Sequence, residues 1–239
     1  MGVDVTREPT AAAVQDALGA IADPSKVERV ARSFRADPEA DPPTQFLGVP
    51  PGEVFDVAKR FAALPLDEIQ SLLESPFYEA RLAAVSVMDA QARQRRTSED
   101  HRQALFDLYL RRHDRIDNWD LVDRAAPHVV GRHLLDKPRD PLYALARSTN
   151  PWERRTAIVA TYAFIREGDV DDTFRIAEVL VHDDHDLVQK AVGSWVREAG
   201  KRDRDRLLAF LDDHASALPR VTLRYATEKL DPETRARYL

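Results

Sequence analysis

Residues 152–158 read Trp152-Glu153-Arg154-Arg155-Thr156-Ala157-Ile158, and the polar-x-Ala core of this stretch belongs to a repeat that predicts the fold. A polar residue two positions before an alanine recurs at intervals of 42, 32, 34 and 35 residues. Periods of this length are typical of α-solenoids, in which helical hairpins stack on one another. The five members of this repeat column are Arg81-x-Ala83, Asp123-x-Ala125, Arg155-x-Ala157, Gln189-x-Ala191 and Arg224-x-Ala226.

The column also predicts a surface. If the alanine of each member faces the neighbouring hairpin, the polar residue two positions earlier points into the concave face of the stack. A column of mostly cationic and amide side chains along such a face would suit an extended polyanion. The competing interpretation is a chance alignment of alanines in an alanine-rich chain.

The rest of the pattern is helical. Apolar residues recur at spacings of three and four, as in Val54, Val57 and Phe61, and Pro- or Gly-containing turns separate these runs. No convincing strand-like alternation occurs. The chain is therefore predicted to be all-α, a HEAT-like α-solenoid of stacked antiparallel helix pairs with a concave groove. We expect one domain over residues 1–239, with an N-terminal helix pair (1–35), a loop rich in proline and acid (36–51), and the repeats (52–239).

Composition excludes several classes of function. The 239 residues are 44% hydrophobic and 32% charged, which is typical of a globular protein. With no cysteine, the chain has no disulfide, no thiol nucleophile and no Cys-ligated zinc site. Neither a signal peptide nor an apolar run of membrane-spanning length is visible, so we expect a cytoplasmic protein with no membrane partner.

Charge gives a mixed indication of the partner. The net charge of −6 argues mildly against nucleic acid. Phosphate binding depends on the local field, however, and cations are concentrated in two spans, so a basic groove on an acidic protein is possible. The alternative is that these helices are simply solvated. The two spans hold Arg93, Arg95, Arg96, Arg102, Arg111, Arg112 and Arg115, and then Arg197, Lys201, Arg202, Arg204 and Arg206.

The segment Asn118-Trp119-Asp120-Leu121-Val122-Asp123 is the best candidate for chemistry. Trp119 and Asp123 are four residues apart and share one face of a helix. A carboxylate beside an aromatic wall suits the stabilisation of a developing cation. Alternatively, Asn118 caps the helix, the indole packs, and Asp123 is only solvated.

At this point the sequence resembles a known family, the AlkD-type DNA alkylation repair glycosylases, which are HEAT-like helical proteins. The similarity runs from Phe46-Leu47-Gly48-Val49 to the end of the chain and includes 118–123 and 152–158. Further matching segments are Phe164-Ile165-Arg166-x-Gly168, His185-Asp186-Leu187-Val188-Gln189-Lys190-Ala191-Val192-Gly193, Arg197-Glu198-x-Gly200-Lys201-Arg202-Asp203 and Pro219-Arg220-x-x-Leu223-Arg224-Tyr225-Ala226.

The resemblance implies hydrolysis of the N-glycosidic bond of N3- or N7-alkylated purines in double-stranded DNA, by a monomer without cofactor or metal. It places the catalytic carboxylate on Asp123, one aromatic wall on Trp119 and the phosphate-binding arginine on Arg155. The family acts without flipping the lesion into a pocket, unlike most enzymes that modify bases. A salt bridge from Arg155 to Asp120 or Asp123 is compatible with these roles. The DNA-binding residues expected from the resemblance and the column are Arg81, Trp152, Lys190, Ser194, Arg197 and Arg224.

Two of these positions have competing interpretations. Trp152 follows Asn150-Pro151 and is more typical of an anchor that packs between repeats than of a substrate contact. The family places a second tryptophan directly after Gly193, whereas this chain has Ser194 there and Trp195 one residue later. One residue rotates a helical side chain by about 100°. We therefore expect Trp195 to pack on the flank of its helix, with Ser194 leaving the groove wider and more polar.

His182-Asp183-Asp184-His185-Asp186 is a possible metal site, but no further histidine converges on it. We favour an acidic turn in which Asp184 caps the next helix.

Two functional alternatives to a glycosylase stay open. Ser194 favours a structure-selective DNA-binding protein without base release, and the net acidity favours a scaffold that binds another protein.

Overall fold

The computed structural model describes residues 9–35 and 43–239. The chain forms two compact units, Met1–Ala125 and Ala126–Leu239. Both are built from helices, and the isolated bridge between Gln45 and Phe77 is the only strand-type pairing in the described ranges. The predicted all-α class is confirmed. The predicted helix pair over 1–35 and loop over 36–51 lie partly outside the described residues.

The first unit is organised around one buried helix, α5. The other helices α1, α3, α4, α6 and α7 all pack against it, and every residue of α5 except Ala90 and Arg93 is buried. Short 3₁₀ turns at Pro24–Lys26 and His113–Arg115 precede α2 and α7. The helices are α1 (Ala11–Gly19), α2 (Val27–Ala31), α3 (Pro51–Arg60), α4 (Leu66–Leu73), α5 (Tyr78–Arg93), α6 (Glu99–Arg111) and α7 (Trp119–Ala125).

The second unit has α12 at its centre, in contact with α9, α10, α11, α13 and α14. Gly193 allows α12 and α14 to approach closely, because a Cβ atom at that position would lie 2.6 Å from the carbonyl oxygen of Thr222. The unit begins with a π-helical turn, Ala126–Gly131. Its helices are α8 (Asp140–Ala146), α9 (Pro151–Ala160), α10 (Tyr162–Arg166), α11 (Asp171–Val179), α12 (Asp186–Gly200), α13 (Arg204–His214), α14 (Arg220–Ala226) and α15 (Pro232–Ala236).

The repeat column made two predictions, one for its alanines and one for its polar residues, and the structure agrees only with the first. All five of its alanines are buried, with at most 3% of their surface exposed, as expected for small residues between packed helices. The polar members were expected on one open surface, and for three of them this is wrong: Arg81, Arg155 and Gln189 are also buried. Central helices such as α5 are covered on both sides, so a residue opposite the alanine is enclosed as well. Asp123 is half-buried and Arg224 is exposed.

A buried carboxylate fixes the segment that precedes α3. Glu79, fully buried in the first turn of α5, accepts hydrogen bonds from the backbone amides of Leu47 (3.0 Å), Gly48 (2.9 Å) and Val49 (3.2 Å). Gly48 has φ +79°, and a Cβ atom there would lie 2.1 Å from the carbonyl oxygen of Asp23. The Phe46-Leu47-Gly48-Val49 motif is therefore held on one side by Glu79 and on the other by the turn before α2.

We expect Glu79→Ala to lower the free energy of unfolding by about 3 kcal/mol, because it leaves three amides without their acceptor, two of them in buried hydrogen bonds. Urea titration with circular dichroism measures this effect. Glu53→Ala, at an exposed position in the first turn of α3, is the matched control and should change stability by less than about 0.5 kcal/mol. Equal effects of the two substitutions would contradict the anchoring role of Glu79.

Candidate functional site

Trp119 begins α7 and is held at its polar edge by the segment that follows α2. The indole Nε1 donates to the carbonyl oxygen of Ser33 at 2.9 Å. The preceding Asn118 is fully buried; its Oδ1 accepts from the Trp119 amide at 3.0 Å and its Nδ2 donates to the Arg35 carbonyl at 3.3 Å. The half-buried indole thus has its polar edge fixed.

The carboxylate of Asp120 accepts a hydrogen bond from a residue of α5. The Tyr78 hydroxyl donates to its carboxylate, and the Leu121 amide donates to its Oδ1 at 2.9 Å. The rings of Phe34 and Phe46 pack against Tyr78 with centroid distances of 5.6 and 5.7 Å. Burial raises the pKa of the Asp120 carboxyl, an effect that the Tyr78 hydrogen bond opposes. Burial, followed by the charge of Asp120, also raises the pKa of Tyr78. No sequence motif pointed to Tyr78.

Asp123 lies one helical turn after Asp120 and is half-buried. The two carboxylates interact, since the negative charge of Asp123 adds to the rise in the pKa of Asp120. Asp123 and Trp119 occupy positions i+4 and i of α7, so they share one side of that helix. A carboxylate in this position can stabilise a cation that develops beside the indole.

Arg81 is an interior cation and not a surface contact. Its side chain is 1% exposed, and its Nη2 atom lies 3.2 Å from Asp117 Oδ1 and 2.9 Å from Thr44 Oγ1. Burial lowers the pKa of Arg81 and raises that of Asp117, with the attraction between the two charges opposing both shifts. The predicted contact between Arg81 and DNA is contradicted by this burial. The carboxylate and the hydroxyl instead compensate a charge inside the first unit.

Arg124, which follows Asp123, was missed at the sequence level. Its guanidinium carbon lies 4.4 Å above the ring of Phe55, its Nε donates to Ser86 Oγ at 3.1 Å, and its Nη2 lies 3.7 Å from Asp89. These residues line a cavity of about 390 Å³ on the first unit. The arginine therefore ties α7 to α3 and α5 next to the Asp123 position.

Trp152 packs within the second unit. Its ring meets that of His185 edge to face at 5.3 Å, and Asn150 caps α9 through a 2.9 Å bond from the Trp152 amide. This contact supports the interpretation of Trp152 as an anchor between repeats. Asp183 accepts from Arg154 Nε (2.5 Å) and from the His185 amide (2.9 Å).

The acidic turn before α12 differs from expectation in one respect. Asp184 was expected to cap α12, but the N-cap residue is His185, whose side chain makes no capping hydrogen bond, and the Asp184 side chain is 99% exposed. The capping prediction is therefore wrong. Across residues 9–35 and 43–239, no group of three or more histidine or acidic side chains is arranged to hold a metal ion.

Arg155 and Gln189 bind main-chain groups of neighbouring elements. Arg155, 6% exposed, donates from Nη1 to the carbonyl of Leu187. Gln189 donates from Nε2 to the carbonyls of Leu180 (2.8 Å) and Asp183 (2.9 Å), and its Oε1 accepts from the Thr222 hydroxyl at 2.5 Å. In this structure both side chains join one helix pair to the next, and the phosphate-binding role of Arg155 stays a prediction.

The other predicted DNA contacts of the second unit are more accessible. Lys190 and Ser194 are partly exposed, and Arg224 is exposed. The Lys190 ammonium lies 3.2 Å from Asp186, and Arg197 is bonded to both Glu198 (3.2 Å) and Glu228. DNA would have to compete with these carboxylates.

Trp195 packs as predicted from its one-residue offset. Its ring stacks on that of Tyr162 at a centroid distance of 4.9 Å and an angle of 39°. The indole therefore lies between α12 and α10, on the flank of its own helix. Ser194 occupies the position at which the resemblance implies a tryptophan.

Comparison with solved structures supports the solenoid class. A predicted DNA alkylation repair enzyme from Enterococcus faecalis matches with a TM-score of 0.66 and 16% sequence identity, over 88% of this chain and 97% of that one. At this identity the likeness shows the fold alone, which is an α-solenoid. The chain itself belongs to the DNA alkylation repair enzyme family, since the family model matches residues 14–230. A comparison with curated protein sequences finds no match. Within the described part of the chain, no helix has the length and apolar character needed to cross a membrane.

We expect Tyr78→Phe to destabilise the protein by about 2 kcal/mol at pH 7, because it removes a donor from a half-buried carboxylate. Because the pKa of Asp120 is raised in the folded state, the protonated carboxyl stabilises the fold at pH values below the ordinary aspartate pKa of 3.8. This stabilisation is lost as pH rises and the carboxyl ionises. The hydroxyl offsets part of that loss, so the cost of Tyr78→Phe should be smaller near pH 4 than at pH 7. Urea titrations at both values measure it.

Tyr238→Phe is the matched control, since that hydroxyl donates to Asp212 at 2.6 Å in an exposed setting. Tyr238→Phe should lower the free energy of unfolding by less than about 0.5 kcal/mol at either pH. A cost of Tyr78→Phe that is the same at both pH values would contradict the assignment of Asp120 as its charged partner.

Proposed function

We propose that this member of the DNA alkylation repair family is a monofunctional DNA glycosylase, which hydrolyses the N-glycosidic bond of N3- or N7-alkylated purines in duplex DNA. The observation that carries the proposal is the placement of Asp123 and Trp119 on one face of α7, with the indole edge fixed by Ser33. Family membership supplies the substrate class, DNA with alkylation damage.

The proposed chemistry uses charge stabilisation. Alkylation at N3 or N7 makes the purine cationic, so the base departs with the bonding electron pair as a neutral molecule and needs no general acid. Positive charge remains on the sugar, where the Asp123 carboxylate stabilises it and orients the attacking water. The face of Trp119 attracts the same charge. Water is the only co-reactant, and the reaction as proposed uses no cofactor or metal.

Asp120 is not the reacting carboxylate in the proposal. Its oxygens already accept hydrogen bonds from the Tyr78 hydroxyl and the Leu121 amide. Asp123 is one turn further along α7 and belongs to the face of Trp119, which makes it the better candidate for the reacting carboxylate. Lys190, Arg197 and Arg224 are proposed to contact phosphates, and Arg155 to do so after exchanging the Leu187 carbonyl for a phosphate oxygen.

A second candidate function is DNA binding without base release. Ser194 favours it, because the small hydroxyl side chain supplies no aromatic wall at that position of α12, and Trp195 is engaged with Tyr162. Release of 7-methylguanine and 3-methyladenine from methylated duplex DNA separates the two candidates. A glycosylase releases these bases faster than the spontaneous background, and a binding protein does not.

We expect Asp123→Asn to lower the rate of base release by about 10²–10³-fold while DNA affinity stays nearly unchanged, because the amide keeps the shape but loses the charge. Asp107→Asn, an exposed position on α6, is the charge-matched control and should keep full activity. Chromatography of the released bases measures the rate of base release, and binding to an undamaged DNA duplex measures the affinity. Release that survives Asp123→Asn unchanged would remove Asp123 from the mechanism.

Ser194→Trp tests the missing aromatic wall. If the protein is a glycosylase, this substitution should leave or raise the rate on methylated purines and narrow the range of accepted lesions, since an indole fills space beside the base. Ser216→Trp, at an exposed position between α13 and α14, controls for the addition of an indole. A Ser194→Trp variant that binds DNA as before but loses all base release would contradict the proposed position of this wall.

A further inference from the structure

Three arginines converge at the end of the second unit. Arg220 and Arg224 lie one turn apart on α14, and Arg235 belongs to α15. Together with Val221 and Leu239 they line one cavity of about 280 Å³. Of these residues only Arg224 belongs to the repeat column, so the sequence pattern did not bring the three together.

The three arginines at this cavity differ in their partners. Arg220 Nη1 donates to the main-chain oxygen of Leu239. Among the described residues the Nε atom of Arg235 is buried without a hydrogen-bond partner, and the guanidinium carbon of Arg224 lies 5.8 Å from the centroid of the Tyr225 ring. No carboxylate side chain is among the lining residues.

Two nearby acids, Asp231 and Asp212, are engaged with other groups. Asp231 accepts from the amide and the hydroxyl of Thr234 at 2.9 and 2.8 Å and lies 3.1 Å from Arg204. Asp212 accepts from the Tyr238 hydroxyl and lies 3.5 Å from Arg237. Three guanidinium groups at one cavity repel one another, and an anion held between them lowers this cost beyond what the Leu239 oxygen at Arg220 provides.

We propose that Arg220, Arg224 and Arg235 form a phosphate-binding site on the second unit. Guanidinium groups match the geometry of phosphate oxygens and bind them through paired hydrogen bonds. Arg235, whose Nε lacks an acceptor, lines the same cavity, so a change of its side-chain rotamer brings this donor to a phosphate oxygen there. The phosphate comes either from the DNA backbone or from a free phosphate compound. Only the first source depends on the proposed function.

Inorganic phosphate is the first probe. Thermal unfolding of the wild-type protein in phosphate is compared with unfolding in chloride at equal ionic strength. A ligand at about ten times its Kd should raise the unfolding midpoint by roughly 3 °C. Arg224→Gln and Arg235→Gln should abolish most of this rise. Arg237→Gln removes the same charge from an exposed neighbour, 61% of whose side chain is accessible, and should keep it.

Undamaged duplex DNA is the second probe. If the site holds a backbone phosphate, Arg224→Gln and Arg235→Gln should each reduce the slope of log affinity against log salt by about one. Loss of the phosphate effect with an unchanged slope assigns the site to a free phosphate compound. Both results support the site, and they distinguish its two sources.

Two outcomes would overturn the proposed site. In one, phosphate raises the thermal unfolding midpoint of the wild-type protein no more than chloride does. In the other, the rise persists in both glutamine variants. Circular dichroism and the midpoint in chloride check that each variant folds. Arg224 is exposed, so its variant carries the test if Arg235→Gln is unstable. Neither probe measures base release, and failure of the Asp123 chemistry would leave both results unchanged.

Discussion

Buried polar side chains that bind main-chain groups are the interaction on which both units depend. Helix ends leave amides and carbonyls without partners, and a fold made of short helices has many such ends. Glu79 binds the amides before α3, and Gln189 binds the carbonyls of the turn before α12. Arg155 reaches the Leu187 carbonyl in the same way. Each of these side chains satisfies groups that packing alone would leave unpaired.

This requirement explains why the sequence predicted one half of the repeat column and misplaced the other. Alanine burial follows from helix spacing, and the period of about 35 residues was sufficient to find it. The direction of the polar partner depends on whether a second layer covers the helix, which periodicity does not encode. In α5 and α9 such a layer exists, so Arg81 and Arg155 are enclosed and used for bridging. Arg224, on α14, remains open to solvent.

The candidate site was predictable only where its parts are close in sequence. The four-residue spacing of Trp119 and Asp123 identified the shared helix face, and the offset of Trp195 correctly indicated a flank position. Tyr78 and Ser33 reach the same helix across 42 and 86 residues of sequence separation. Nothing local marks such partners, since they are determined by how helices dock. The arginine cluster at α14 and α15 lies within a short stretch of sequence, but its members share one cavity only because of the way α15 docks on α14.

The bond between the Trp119 indole and the Ser33 carbonyl also constrains how the first unit can form. Helical repeats usually fold through neighbour contacts, and each hairpin can consolidate soon after it is made. Here the segment after α2 has its partner 86 residues later in the chain. During synthesis, the N-terminal helices must therefore wait for α7 before this end of the unit is complete. Closing so long a loop slows folding, so the unit should mature as one late cooperative step and not hairpin by hairpin.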